Sequence, residues 1–99
     1  DKTADVTTDN WKLVRERFNK LPVNPYWDVC DPLVEEPPGL NSLADDLAEI
    51  YRDIKEGLIL YHKDKIVEAV WEWRLNFIIH WGAHLTGAQR AIHSYLSKK

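Results

Sequence analysis

The residues of this 99-residue chain best suited to chemistry lie in one run, Trp71-Glu72-Trp73-Arg74-Leu75-Asn76-Phe77-Ile78-Ile79-His80-Trp81-Gly82-Ala83-His84-Leu85. His80 and His84 are four positions apart, so on a helix their imidazoles lie one above the other and can share a metal ion. Gly82 between them removes a side chain and lets another backbone approach. Carboxylates able to complete such a site are Asp46, Glu49 and Asp53 upstream, and Glu72 within the run. Two ring nitrogens joined by carboxylate oxygens from a facing helix is how helical bundles hold zinc, iron or manganese. The expected metal set is therefore His80, His84, Asp46 and Asp53. The bare alternative is a pair of partly buried histidines hydrogen-bonded to the same carboxylates. There is no H-E-x-x-H pattern to decide between them.

Arg74 falls by its helical angle inside an apolar stripe with Phe77 and Trp81. A charge there must be paired, because an unpaired one costs several kcal/mol. Asp46 or Asp53 would answer it, giving an expected polar cluster of Arg74, Asp46 and Asp53 that ties two helices together. The spacing Arg74-x5-His80 also resembles the R-x(4–6)-H motif of the HEPN ribonuclease domains, with Leu75 where a polar residue usually follows the arginine. That resemblance implies a histidine acting as acid or base on ribose and an arginine stabilising phosphate charge. No glycine-rich phosphate loop, serine nucleophile motif or dinucleotide fingerprint occurs.

These groups must be positioned by helices. Ser42 followed by Asp45 reads as a capped helix start, and Leu43, Leu47, Ile50, Tyr51, Ile54, Leu58 and Tyr61 form an apolar stripe along a helix over 42–61. Asp64 is placed to cap a further helix running to about Leu96 with no proline in its way. Straight, it would span about 48 Å, so a bend is expected near Gly82 and Gly87, or a projection toward a partner. Its main inward stripe is Val70, Phe77, Trp81, Ala88, Ile92 and Tyr95, and a second apolar surface lies nearly opposite. A helix apolar on two sides needs cover on both. Trp71, Leu75 and Ile79 on that second surface are the expected interface, for a protein partner or a second copy of the chain.

Upstream, Thr8 or Asp9 can cap a short helix to about Asn19. Residues 1–8 lack apolar periodicity and read as a flexible start. Prolines 22, 25, 32, 37 and 38 make 22–40 an irregular strap, with Tyr26, Trp27, Val29, Leu33 and Val34 as expected anchors into the core. The fold class this gives is all-α: one helical domain over 1–99, with the strap and a long antiparallel helix hairpin over 42–96.

Apolar residues at 44% and charged residues at 29% exclude disorder, and no apolar stretch is long enough to cross a membrane. With 13 basic and 16 acidic residues no polybasic surface exists, so no nucleic-acid partner is expected. A lone cysteine, Cys30, forms no disulfide framework and fits a reducing, cytoplasmic location. The chain begins at Asp1 and contains no methionine, so its native start is expected upstream.

The run from Ser42 to Leu58, SLADDLAEIYRDIKEGL, resembles the core motif of the bacterial family called domain of unknown function 5063. So do Trp71-x-Trp73-Arg74-x-Asn76-Phe77-x-x-His80-Trp81-Gly82-x-His84, and Ala88-x-Arg90-Ala91-x-His93 after it. Asp31-Pro32-Leu33 resembles the segment leading into that motif, and Ile79 stands where relatives are expected to carry a polar residue. The resemblance implies an all-helical bacterial protein with a further N-terminal region, and it implies no reaction. The expected function is a protein-binding or self-associating module, with a metal-binding bundle or a HEPN-like ribonuclease as alternatives.

Overall fold

Ser42 starts the helix around which the rest is arranged. Its side chain accepts a hydrogen bond from the Asp45 N–H at 3.3 Å, and Asp45 and Asp46 place negative charge in the first turn. The structure, a computed structural model, describes residues 8–98. Along the chain these form α1 (Thr8–Phe18), β1 (Pro25–Asp28), β2 (Gly39–Ser42), α2 (Leu43–His62), α3 (Ile66–Asn76), a π-helical turn (Phe77–Trp81) and α4 (Gly82–Ser97). The flexible start expected over 1–8 lies outside the described residues except for Thr8, which opens α1.

The molecule is mainly helical, with one small sheet that the prolines concealed. β1 pairs antiparallel with β2 in the register Pro25↔Ser42, Tyr26↔Asn41, Trp27↔Leu40 and Asp28↔Gly39. Pro25 is the first residue of its strand, and Pro37 and Pro38 precede the other, positions where a missing N–H breaks no interior ladder bond. The all-α expectation is corrected to this extent. So is the set of anchors. Tyr26 is half-buried, but Trp27, Leu33 and Val34 face solvent, Leu33 almost completely. The strap is held instead by Asn24: its carbonyl accepts from Leu43 N–H and its side-chain oxygen from Ala44 N–H, each at 2.8 Å.

The single helix expected after Asp64 is three segments. Asp64 does not cap it; with φ of 62° it is the left-handed residue of the turn closing α2, where Asp64 N–H bonds Tyr61 and Lys65 N–H bonds Leu60. Aspartate tolerates that conformation better than most side chains. The interruption falls at Phe77–Trp81, where the Gly82 N–H reaches back five residues to the Phe77 carbonyl. A Cβ on Gly82 would lie 2.4 Å from that oxygen, so the wide turn closes only on glycine.

The core is made of small residues. Leu43, Ala44 and Ala48 of α2 are buried, as are Ala69 of α3 and Ala88 and Ala91 of α4. At the other end of α2 the indole of Trp73 fills the notch left by Gly57, stacks on Tyr61 with ring centroids 6.3 Å apart, and donates from Nε1 to the Ile54 carbonyl at 3.0 Å. This corrects the inward stripe. Val70 and Phe77 are about half exposed, and Ala69 and Trp73 face α2 in their place.

Candidate functional site: two histidines on buried carboxylates

Two acidic side chains of α2 are buried: Asp46 is 4% exposed and Asp53 is 6% exposed. Removing a carboxylate from water is costly unless its oxygens are hydrogen-bonded. Asp53 Oδ2 lies 2.5 Å from His80 Nδ1, and Asp46 Oδ1 lies 2.7 Å from His84 Nδ1. The second oxygen of Asp46 accepts the Tyr26 hydroxyl of β1. A carboxylate only accepts, so each imidazole carries a proton on Nδ1 and turns Nε2 away from the aspartate. The rings meet edge to face with centroids 4.8 Å apart. His80 comes from the π-helical turn and His84 from the first turn of α4, so the widened turn sets the angle between them.

The imidazoles form the outward edge of this cluster. His80 and His84 keep about a third of their side-chain surface in solvent, against 7% and 5% for the aspartates. They open into a cavity of about 630 Å³ whose other walls include Trp11 and Arg15 of α1 and Asp45 and Glu49 of α2. Glu49 Oε2 lies 3.3 Å from His80 Nε2 and accepts from Arg52 Nη2 at 2.8 Å. Arg15 pairs with Asp45 and fastens α1 over the cavity. Trp11 Nε1–H is buried with no acceptor among the described residues. On the far side, His84 and Asp46 also border a second cavity of about 890 Å³ beneath Tyr26 and Asp28. Burial, then the hydrogen bond and the negative charge of Asp46, push the Tyr26 phenol well above its ordinary pKa.

The structure therefore brings Asp46, Asp53, His80 and His84 together and leaves Arg74 out. Arg74 is exposed, and neither buried aspartate accepts from it. The expected Arg74–Asp46–Asp53 cluster is corrected because the face of α3 that meets α2 is set by Ala69 and Trp73, which turns Arg74 outward. One oxygen of each aspartate is taken by a ring nitrogen, and the second oxygen of Asp46 by the Tyr26 hydroxyl, so the aspartates orient the histidines from behind. Among the described residues no three His, Cys, Asp or Glu side chains are gathered into a group that holds a metal ion. Tyr26 was not legible as part of the site, because its link to Asp46 crosses from strand to helix and follows no local spacing. The available hint was that a buried carboxylate with two oxygens needs a second donor.

The expected interface residues lie on a different surface. Trp71 and Ile79 are 59% and 66% exposed, and Leu75 is half-buried. Among the described residues, no helix is long and apolar enough to cross a membrane. No curated protein and no solved structure matches the chain. Residues 2–98 match the family model described as Domain of unknown function (DUF5063), and the chain belongs to that family.

Proposed function

We propose that this domain is a self-associating helical module whose bare α2–α3 face seats against a second copy of the chain. The observation that carries this reading is the exposure of large apolar side chains along that face: Val67 80%, Ile78 69%, Trp71 59% and Val70 51%, flanked on α2 by Ile54 at 40% and Tyr61 at 45%. By helical position Val67, Val70 and Trp71 share one side of α3, the side turned away from Ala69 and Trp73, which face α2. Single exposed apolar residues need no explanation, but a contiguous run of this kind on a small protein marks an interaction surface. Arg74 is the charged group among them, and its long stem adds apolar area. A second copy supplies the same aromatic and aliphatic surface in return, which is the condition for a two-fold interface.

The test is sedimentation of the purified chain from low to high micromolar concentration, beside the double variant Trp71→Lys, Ile78→Lys. The wild type is expected to shift to a dimer, and the variant to remain monomeric with an unchanged circular dichroism spectrum. A wild type that stays monomeric across the range overturns the proposal.

A further inference from the structure

We infer that two copies of the chain pair through α3 side by side and pointing the same way. Trp71 of each lies at the two-fold axis, and Arg74 of each is set against Glu68 and Glu72 of the other. This rests on the self-association proposed above and goes beyond it, because an apolar face alone leaves the partner's direction open. Charge carries the direction. α3 (Ile66–Asn76) has Trp71 as its middle residue, and its charged side chains are Glu68, Glu72 and Arg74. Ala69 and Trp73 face α2, so the ridge on the opposite side of the helix is centred on Trp71.

At about 100° per residue, Glu68 and Glu72 fall about 60° and 100° to one side of that ridge, and Arg74 about 60° to the other. One flank of Trp71 is therefore acidic and the other basic. Glu68 and Arg74 are exposed, and among the described residues neither has an ion pair or a hydrogen bond. Glu72 is half-buried and accepts from Asn76 Nδ2 at 3.0 Å through one of its two oxygens.

A two-fold pair of helices can run in two ways. End for end, like flanks meet: the glutamates of one copy lie along those of the other, and Arg74 lies along Arg74. In the same direction, unlike flanks meet on both sides of the seam. Arg74 then stands about 3 Å along the axis from the level of the other copy's Glu72 and about 9 Å from that of its Glu68. Its long side chain leans back toward the helix N-terminus, between those two carboxylates. Charges flanking an apolar seam set the choice and orientation of a partner helix in this way. The two indoles meet at one level, where offset stacking favours them.

The experiment is sedimentation of the untagged chain and its variants, with circular dichroism to confirm folding. In dilute salt, Arg74→Gln should weaken the dimer about 3- to 10-fold, because both symmetric contacts are lost together, and Arg74→Glu should weaken it further. Added salt should weaken the wild type and barely affect Arg74→Gln. An end-for-end pair gives the opposite sign, since removing Arg74 relieves a repulsion. Cross-linking reads the direction independently. With the exposed Cys30 replaced by serine, Val67→Cys should form an interchain disulfide under mild oxidation, because the two Val67 positions share one level. End for end they stand about 12 Å apart along the axes, beyond a disulfide's reach. A wild type that never dimerises overturns self-association and this orientation with it. A wild-type dimer that Arg74→Gln leaves unchanged or tightens, or in which Val67→Cys does not cross-link, overturns the orientation alone.

Discussion

The two halves of α2 reverse the usual sorting of side chains. Its stretch from Leu43 to Asp53 buries charge: Asp46 and Asp53 are among the least exposed residues of the molecule, beside Leu43, Ala44 and Ala48. Its C-terminal half leaves oil in water, with Ile54, Leu58 and Tyr61 between 36% and 45% exposed. What differs is the element opposite. α4 presents the small buried residues Ala88 and Ala91, and its His84, together with His80 of the π-helical turn, satisfies the carboxylates. α3 presents the Trp73 indole, which seals one notch at Gly57 and leaves both flanks open. Burial is decided by the neighbour's size and hydrogen-bonding capacity more than by the residue's own polarity.

That contrast makes the N-terminal half the place where one substitution costs most. Asp46→Ala removes the acceptor of both Tyr26 and His84 and leaves two donors facing an apolar gap. A loss of about 3–4 kcal/mol in chemical denaturation is expected, within the range for stripping one partner from a buried pair. A loss below about 1 kcal/mol would show that water replaces the carboxylate, and that this half is no better sealed than the other.

Of this contrast, the helix α2 was the most legible part. The Ser42 cap and the charged first turn are local signals, and the helix begins at Leu43 as they require. The spacing of His80 and His84 was equally plain, because it needs only helical periodicity. The small sheet was hidden because its prolines lie at strand ends, where they are harmless, and a count of prolines says nothing about position. The π-helical turn left no periodic trace, since one added residue shifts the phase without breaking the apolar run. Arg74 was misplaced for a related reason. An apolar stripe drawn from Val70 to Phe77 outweighs Ala69 and Gly57 on a hydrophobicity count, yet the small residues mark where the helices touch.

A smaller effect should separate the halves by pH. Unfolded tyrosine ionises near 10, and the folded Tyr26 phenol is held above that value by burial and by Asp46. The folded state thus resists the ionisation that the unfolded state accepts. Stability from this group is complete below about pH 10 and is lost as pH rises from there toward the folded pKa. Urea midpoints measured from pH 8 to 11 should fall more steeply for the wild type than for Tyr26→Phe. Parallel curves would remove Tyr26 from the set of groups that hold Asp46 in place.

The smallest effect is expected on the bare face, and its smallness is the point. Val67 is 80% exposed in the first turn of α3. Val67→Lys gains a few tenths of a kcal/mol in helix propensity. It gives back a similar amount, because a positive charge in the first turn opposes the helix dipole. It removes almost no packed surface within the chain. Monomer stability, measured by urea unfolding at the lowest workable protein concentration, should stay within about 0.5 kcal/mol of wild type. A loss of 2 kcal/mol or more would mean that Val67 is already covered in the isolated chain, and the difference between the two halves of α2 would then end before α3. If the loss appears only as protein concentration rises, the missing cover is a second molecule, since stability contributed by an associating partner scales with its concentration.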